Sequence, residues 1–533
     1  MKRFKSAFGA FVAAAIIVTA VPPVFVEIKA EAAGGGLSFG EYLAEQLVKF
    51  PKEIDITDYV LENKWVKFSG DSVPNSEVGK LAQRFIDEVS GNPELFFVNI
   101  AKGFGGGVSA SWYRSKGVYS FKLLDIKYHI TKSEYAGMKK KLDAEVETAL
   151  SAVRYAETDA EKALAVHDYL ILNCGYDNEA LTKKKPISHS AYGSLVNKTA
   201  VCEGYSNAYK LILNKLGVEC SLVSSEKAYH MWNYVKIDGN WYHTDVTADD
   251  PLYNGKNDIL GYVAHNNLLL SDAEIKKTSD LHKGGDWDVR GLPAAKSTNY
   301  DKFFWRGVES ALVKSDGFWY YIQTDKSSPA LQPNPNINAE IFHRLRKYNF
   351  GTNKSSTVYT ISSKWLNWGV QNGWSTSVTP SIAEYNGLLY FNKTDGIYSI
   401  KPNGKSVKQA VKADTKTGYV YGMKMNGNKI SYSLKKGYDV KDSVKTANVA
   451  AAKATKITLN KGSVNLSGAG KSATRKASLE PSGAGDYVYW VSSDTSVAKV
   501  SKTGKITAVK KGRCEVTAFT ANGREAICEV TVK

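Results

Sequence analysis

The sequence predicts a multidomain chain in which an α+β region is followed by a β-rich region and by a small C-terminal β-sandwich. Three observations support this fold class. The 533 residues suggest about three or four domains, apolar residues recur at helical spacing over residues 133–173, and short aromatic strands led by Asp-Gly or Asn-Gly turns dominate after residue 290. With 43% hydrophobic and 23% charged residues, the composition excludes a largely disordered chain and a polytopic membrane protein.

The N-terminus has the three parts of a secretory signal peptide. A basic start is followed by an apolar run from Ala7 to Val21 and by Ala30-Glu31-Ala32, an A-x-A type of cleavage site. We expect residues 1–32 to be removed and the protein to be secreted, with no stable membrane span afterwards. The alternative is a retained anchor, but about 15 apolar residues followed by two prolines are short for a spanning helix.

Residues 37–136 are expected to form an N-terminal α/β region. Its pattern indicates a helix around residues 76–90 and strands at residues 94–98 and 118–122. The glycine-rich segment Gly103–Gly107 is interpreted as a loop, because no Gly-Lys-Ser/Thr follows it as a phosphate-binding loop requires.

Residues 137–290 form the next predicted region, and it begins with helices. Thr158 followed three positions later by Glu161 is typical of a helix start. His167 lies beside the apolar face of that helix, where we expect a structural histidine rather than a ligand.

Residues 297–446 are predicted to be β-rich. Aromatic strands and turns recur there as in the blades of a propeller, but about 150 residues supply few blades for a closed ring, so a propeller-like or meander region is expected. Its aromatic side chains are expected to be core rather than carbohydrate platforms. Residues 447–455 are interpreted as a linker.

Residues 456–533 show short alternating strands separated by Gly, Ser and Asp turns, the pattern of a small β-sandwich. The run from Trp490 to Val500, followed by Gly504–Ala508, resembles bacterial immunoglobulin-like domains of group 2. The resemblance implies a spacer or adhesive module of a surface protein. Cys514 and Cys528 are expected to point inward, and the sequence leaves open whether they form a disulfide.

The basic character lies in the last quarter of the chain. Residues 401–533 hold 25 Lys/Arg against 9 Asp/Glu, whereas the whole chain has a net charge of +17. This suggests attraction to an anionic polymer of the cell wall, with a merely soluble Lys-rich surface as the alternative. Nucleic acid is not expected as a partner, because no nucleic-acid-binding signature is present.

A candidate nucleophile begins a predicted helix. The apolar spacing after Cys202 indicates a helix that ends at Gly217. Since the positive end of the helix dipole favours an anion, a cysteine in the first turn is suited to react as a thiolate.

A candidate base and its orienting carboxylate follow on a predicted hairpin. If Asp238-Gly239 is a two-residue turn, the register places His230 opposite Thr247 and Asp245 opposite Trp232. His230 and Asp245 are then diagonal neighbours on one face, within side-chain reach. A three-residue loop without a compensating bulge would place them on opposite faces.

These residues lie in three blocks, which begin at Cys202-Glu203-Gly204-Tyr205, at His230-Met231-Trp232-Asn233 and at Trp241-Tyr242-His243-Thr244. The blocks resemble the motifs of the transglutaminase-like cysteine peptidase superfamily. The resemblance implies a papain-like α+β fold in which Cys202 is the nucleophile, His230 the general base and Asp245 the residue that orients it. Ala200 departs from the pattern, because many relatives have glycine there.

The sequence also offers candidates for the oxyanion donors and for the walls of the cleft. The backbone N–H of Cys202 and the side chain of Tyr192 are candidate oxyanion donors, with core packing as the alternative for Tyr192. Trp232 and Trp241 are expected to wall the cleft. No cofactor is expected, and no metal motif of the His-Glu-x-x-His or Cys-x-x-Cys type is present. Cys174 and Cys220 could pair with each other, but we expect both to be buried thiols.

The sequence thus predicts an exported, wall-associated thiol enzyme with a protein or peptide substrate. It would act on glutamine carboxamide or peptide bonds through an acyl-enzyme, as a cross-linking acyltransferase or as a peptidase or deamidase. The alternative is a surface adhesion or scaffold protein whose transglutaminase-like module is not catalytic.

Overall fold

The computed structural model describes residues 37–101, 105–250, 252–253, 256–257, 260–329, 340–364, 381–435, 443–449, 454–480, 484 and 486–533. The predicted signal peptide lies outside the described residues, as do Gly103 and Phe104 of the glycine-rich segment and residues 450–453 of the predicted linker. The chain forms two compact units. The first contains the described residues up to Val153 together with residues 157–249 and 267–302, and the second contains residues 154–156, 250–266 and 303–533.

The first unit combines helices with small sheets. Its helices are α1 (Phe39–Leu47), α2 (Thr57–Glu62), α3 (Asn75–Gly91), α4 (Lys132–Val153), α5 (Asp159–Asn173), α6 (Ala191–Leu195), α7 (Cys202–Lys215), α8 (Val246–Asp249) and α9 (Asp272–Ile275), with 3-10 turns at Pro93–Leu95, Asn178–Leu181 and Pro186–His189. Its strands are β1 (Ile54–Asp55), β2 (Val98–Asn99), β3 (Ser109–Ser115), β4 (Val118–Leu124), β5 (Lys127–Tyr128), β6 (Gly175–Tyr176), β7 (Thr199–Ala200), β8 (Cys220–Ser225), β9 (His230–Ile237) and β10 (Asn240–Thr244). The sheets are ordered β1-β4-β3 and β10-β9-β8, with the pairs β2-β5 and β6-β7.

Helix α7 is the core of this unit. Its Tyr205, Tyr209 and Ile212 side chains are fully buried, and burying each stabilises the fold by roughly 1.5–3 kcal/mol. On one side the Tyr209 hydroxyl donates to the carbonyl of Ala163 in α5 (2.9 Å). On the other side the Ser206 hydroxyl donates to the carbonyl of Met231 in β9 (3.0 Å). The helix is therefore held between α5 and the sheet β8–β10, which brings its N-terminus to the start of β9.

Local signals predict most of these elements. The Thr158 hydroxyl accepts from the Glu161 N–H, and Glu161 accepts in return from Thr158, so the capping box expected for α5 is present. The prediction of a strand at residues 94–98 is wrong. Asn92 caps the Glu94 N–H and a proline follows it, which produces a 3-10 turn, and β2 starts only at Val98.

His167 is fully buried in α5. Its Nδ1 lies 2.9 Å from Asp168 Oδ1 and its Nε2 lies 3.1 Å from Asp249 Oδ2. Burial by itself would lower the pKa of His167, but the two carboxylates outweigh it and raise the pKa to about 9. This histidine therefore forms a buried ion-paired link between α5 and α8.

The second unit consists mainly of antiparallel strands. A short hairpin, β11 (Leu252–Tyr253) and β12 (Lys256–Asn257), precedes three sheets made of β13 (Val313–Ser315), β14 (Phe318–Thr324), β15 (Glu340–Asn349), β16 (Lys354–Lys364), β17 (Ile382–Tyr385), β18 (Leu388–Lys393), β19 (Gly396–Ile400), β20 (Lys408–Lys412), β21 (Tyr419–Asn426), β22 (Lys429–Lys435) and β23 (Ser443–Asn448). The sheets are β13–β16, β17–β20 and β21–β23, and in each the strands pair in chain order. Among the described residues no sheet is closed, so the propeller-like architecture is not confirmed and the region is a series of meanders. Trp319, Tyr320 and Tyr348 are buried in it, as expected for core aromatics.

The C-terminal part of the second unit is a β-sandwich of short strands. They are β24 (Lys456–Leu459), β25 (Ser463–Leu466), β26 (Ser472–Thr474), β27 (Ala477–Glu480), β28 (Val488–Ser492), β29 (Ala498–Val500), β30 (Lys505–Ala508), β31 (Gly512–Thr520) and β32 (Glu525–Val532). Cys514 and Cys528 lie in its hydrophobic core with Val516 and Val530. The structure shows no disulfide between them. Within the described part of the chain, none of the helices combines the length and the apolarity that crossing a membrane requires.

Candidate active site

Cys202 is the first residue of α7. It follows β7, which runs parallel to β6 with Ala200 opposite Tyr176. Gly204 lies so close to the Ser188 carbonyl that a Cβ atom would sit 2.5 Å from its oxygen, so the first turn of the helix accepts only glycine at this position. The Cys202 side chain is partly accessible, whereas Cys174, Cys220, Cys514 and Cys528 are buried. The expectation of buried thiols at Cys174 and Cys220 is confirmed.

The hairpin β9–β10 has the predicted register up to Thr244, but the predicted pairs His230–Thr247 and Trp232–Asp245 do not form, because β10 ends there and Val246–Asp249 is helix α8. Asn240 pairs with Ile237 and Thr244 with Asn233, which makes Asp245 the first residue after β10. Asp238 and Gly239 have positive φ angles of 48° and 78°, as a two-residue turn that fits the twist of a hairpin requires. His230 begins β9 and Asp245 follows β10, so the turn brings the two side chains together.

His230 lies between Asp245 and Cys202. Its Nε2–H donates to Asp245 Oδ2 at 2.6 Å, and the Cys202 thiol lies near enough to raise the pKa of the imidazole. Burial alone would lower the pKa of His230, but the charge and hydrogen bond of Asp245, together with Cys202, raise it to about 10. The imidazole is therefore charged at neutral pH, and since Asp245 occupies Nε2, Nδ1 is the nitrogen left to face sulfur.

Asp245 is fully buried and accepts three hydrogen bonds. Oδ1 accepts from the Ala248 N–H (3.0 Å), and Oδ2 accepts from His230 and from His282 Nε2 (2.8 Å). Burial would raise the pKa of Asp245, but the two imidazoles outweigh it and hold the pKa well below its usual range. Asp245 is thus an anion with a fixed orientation. His282 lies outside all three motif blocks, and apart from its being one of eight histidines no sequence signal indicated it.

The structure places the three aromatic candidates in the core. Trp232 is fully buried behind the catalytic candidate His230, with ring centroids 5.7 Å apart. Trp241 stacks on Tyr234 at 5.4 Å. Tyr192 is buried and stacks on Phe96 at 5.3 Å, so its role as an oxyanion donor stays a prediction.

Tyr176 lies near the Cys202 thiol. The sequence motifs did not identify Tyr176 as a site residue. Burial raises its pKa to about 12, and the charges of Cys202 and Asp245 add to this effect. Its phenol therefore stays neutral and keeps its proton as a hydrogen-bond donor near the nucleophile.

A cavity of about 230 Å³ lies next to the start of α7. Polar groups on its wall include His129, His189 and Glu203, and Phe96 adds an apolar face. His189 Nδ1 lies 2.9 Å from Glu203 Oε2. Burial lowers the pKa of His129 to about 4, so this imidazole is neutral. Glu203 directly follows Cys202, which makes the cavity a candidate for receiving part of a substrate.

The donor atoms of His230, Asp245 and His282 lie within 4.8 Å of one another, close enough to ligate a metal ion. In the structure both imidazoles donate to the carboxylate instead. The same atoms cannot simultaneously serve this hydrogen-bonded arrangement and a metal ion.

Comparison with known proteins identifies two parts of the chain. Residues 147–246 match the family model of the transglutaminase-like superfamily, and residues 453–530 match that of the bacterial Ig-like domain (group 2). Both resemblances are thereby confirmed. The first match contains Cys202, His230 and Asp245, so these residues lie within a transglutaminase-like core.

Three individual proteins that resemble parts of this chain are described next, each with the share of both chains that the comparison covers. Lacto-N-biosidase of Bifidobacterium bifidum is 51% identical over 63 residues, which are 12% of this chain and 6% of that protein. A solved transglutaminase structure is 14% identical, with a TM-score of 0.20, over 38% of this chain and 60% of the other. Domains 4 and 5 of the S-layer protein SbsC are 15% identical, with a TM-score of 0.14, over 42% of this chain and 98% of the other.

Proposed function

We propose that this protein is an exported cell-envelope thiol enzyme that acts on glutamine carboxamide or peptide bonds through an acyl-enzyme on Cys202. The observation that carries the proposal is a charged His230 held between the anion Asp245 and a partly accessible cysteine at a helix N-terminus. A buried structural cysteine would need neither a cationic partner nor access to solvent.

The proposed reaction proceeds in two halves. The Cys202 thiolate attacks the carbonyl carbon, a C–S bond forms, and the tetrahedral oxyanion accepts from the Cys202 backbone N–H. The C–N bond then breaks, and His230 gives its proton to the departing ammonia or amine. Neutral His230 next takes a proton from the incoming acceptor, which attacks the thioester and releases the thiolate.

The acceptor determines the product. A lysine amine gives an isopeptide cross-link, and water gives a carboxylate. A glutamine peptide supplied with and without a primary amine separates the two outcomes, because transfer consumes the amine whereas hydrolysis releases only ammonia and acid.

The test of the proposal is the pH dependence of Cys202 alkylation by iodoacetamide in the full chain. We expect fast labelling that persists well below about pH 8.5, where an ordinary thiol is half ionised, and a loss of that low-pH reactivity in His230→Ala. The burial of the other four cysteines makes labelling of the native protein selective, and Cys202→Ala is the control for this. Slow labelling that does not depend on His230 would contradict the proposal.

A second candidate function is a surface adhesion or scaffold protein with an inactive transglutaminase-like module. The match of residues 453–530 to bacterial Ig-like domains favours it. Such modules resemble adhesive spacers, and an adhesive or spacer role does not require catalysis. The alkylation experiment separates it from the enzyme.

We also propose that the basic region, residues 401–533, holds the secreted protein on an anionic cell-wall polymer. Binding of the full chain to isolated walls should weaken steeply between low and high salt, because exposed charges are screened. Reversing Lys408, Lys412 and Lys416, which are exposed, to Glu should weaken binding at low salt, whereas reversing exposed Lys116, Lys127 and Lys132 should not. Binding that ignores salt, or equal losses in both triple variants, would contradict an electrostatic site in this region.

A further inference from the structure

The carboxylate of Asp245 is shared by two imidazoles. Its Oδ2 atom lies 2.6 Å from His230 Nε2 and 2.8 Å from His282 Nε2. His282 and Asp245 are both fully buried, so water does not compete for these hydrogen bonds. Nothing in the motif blocks assigns a role to His282.

His282 is itself held rigidly. Its Nδ1 is hydrogen-bonded to Thr278 Oγ1 at 3.1 Å, and the Thr278 hydroxyl also contacts the Ile275 carbonyl at the end of α9 (2.8 Å). Its ring and that of Trp232 pack edge to face, with centroids 5.0 Å apart. These contacts hold the His282 imidazole in one position, so its Nε2 atom can hold the Asp245 carboxylate in place.

A hydrogen bond from His230 alone would not fix the orientation of the Asp245 carboxylate. A buried carboxylate that loses a donor keeps its desolvation cost and gains freedom to rotate. With Ala248 N–H on Oδ1 and two imidazoles on Oδ2, only one carboxylate orientation satisfies all three donors. That orientation directs the lone pair of Oδ2 at His230 and so fixes the direction in which Nδ1 faces Cys202.

We propose that His282 is a positioning residue for the thiol chemistry: its hydrogen bond to Asp245 holds the carboxylate, and through it the His230 imidazole, in the geometry that activates Cys202. This inference rests on the proposed function. His282 does not contact the thiol in this role, and it acts only through Asp245.

Two amide substitutions test it in the full chain. In His282→Gln the side-chain amide can replace Nε2 as a donor to Asp245, whereas in His282→Asn the shorter amide can replace only Nδ1 and reaches Thr278 alone. We expect His282→Asn to slow alkylation of Cys202 at neutral pH on the order of tenfold to a hundredfold, as the loss of a hydrogen bond to a charged group does. His282→Gln should retain the rate within a few-fold.

The matched control is His243→Asn. His243 is also buried, and its Nε2 is bonded to a carboxylate, Asp272 Oδ1, at 2.8 Å, but Asp272 is not a partner of His230. This variant should lose comparable stability in thermal unfolding and keep the alkylation rate. A second readout is the low-field proton resonance of the short His230–Asp245 hydrogen bond, which should broaden or shift in His282→Asn and persist in the other two variants.

The outcomes are distinct. A wild-type thiol that reacts no faster than a free cysteine overturns the proposed function and this inference together. A fast wild type with an equally fast His282→Asn, or equal slowing by His282→Asn and His243→Asn, overturns this inference alone. Should His282→Asn not fold, a His282→Gln variant that folds but is slowed to the level of His230→Ala also overturns it.

Discussion

Replacing Cys202 by alanine should reduce turnover of a glutamine peptide by about 10⁵-fold or more, because the acyl-enzyme cannot form without the nucleophile. The remaining four cysteines are buried and cannot substitute for it. Loss of one sulfur at a partly accessible position should change the free energy of unfolding by only about 1 kcal/mol or less. Ammonia release and mass spectrometry of the intact protein, which detects the thioester, measure the effect.

The control for this variant is Cys220→Ala. Cys220 is a buried thiol in β8, and burial raises its pKa to about 12, so it is inert. This variant should lose stability by leaving a small cavity and keep its chemistry. Turnover that survives in Cys202→Ala would show that another residue carries the reaction.

Replacing Asp245 by asparagine should lower turnover on the order of 10⁴-fold, the size of effect that the equivalent change has in a serine protease triad. An amide has no charge, so it no longer raises the pKa of His230 and can hold the imidazole in the wrong tautomer. The pKa of His230 should fall from its present value of about 10, and the fraction of enzyme with a charged imidazole beside sulfur at neutral pH should fall with it.

The Asp245→Asn variant should also change how the free energy of unfolding depends on pH. A histidine whose pKa is raised on folding stabilises the fold fully below its unfolded value, near pH 6.5, and this contribution is lost as pH rises through about 10. Wild-type protein should therefore lose stability over this window, and Asp245→Asn should show a weaker loss. Denaturant unfolding at a series of pH values measures it, with Asp272→Asn as the matched control because Asp272 pairs with His243. Equal slopes and undiminished turnover in Asp245→Asn would remove Asp245 from the mechanism.

The errors in reading the sequence have identifiable causes. The apolar run at residues 94–98 has the composition of a strand, but Asn92 and Pro93 impose a 3-10 turn before the strand can start. Trp232 and Trp241 were expected to wall the cleft; the structure buries both side chains, and their contact with a substrate stays a prediction. Composition shows which side chains prefer an apolar environment and does not distinguish a cleft wall from a core.

By itself, the sequence determined the helix start at Cys202, the register of the His230–Asp245 hairpin and the strand pattern of the C-terminal sandwich. Each depends on dihedral preferences and periodicity among residues close in the chain, such as Asp238 and Gly239 in the turn. Only the tertiary structure decided that α7 brings Cys202 to His230, that Tyr176 lies near the thiol, and that His282, 37 positions beyond Asp245, shares its carboxylate. These contacts join distant segments, and their geometry follows from how helices and sheets pack together, which no local pattern records.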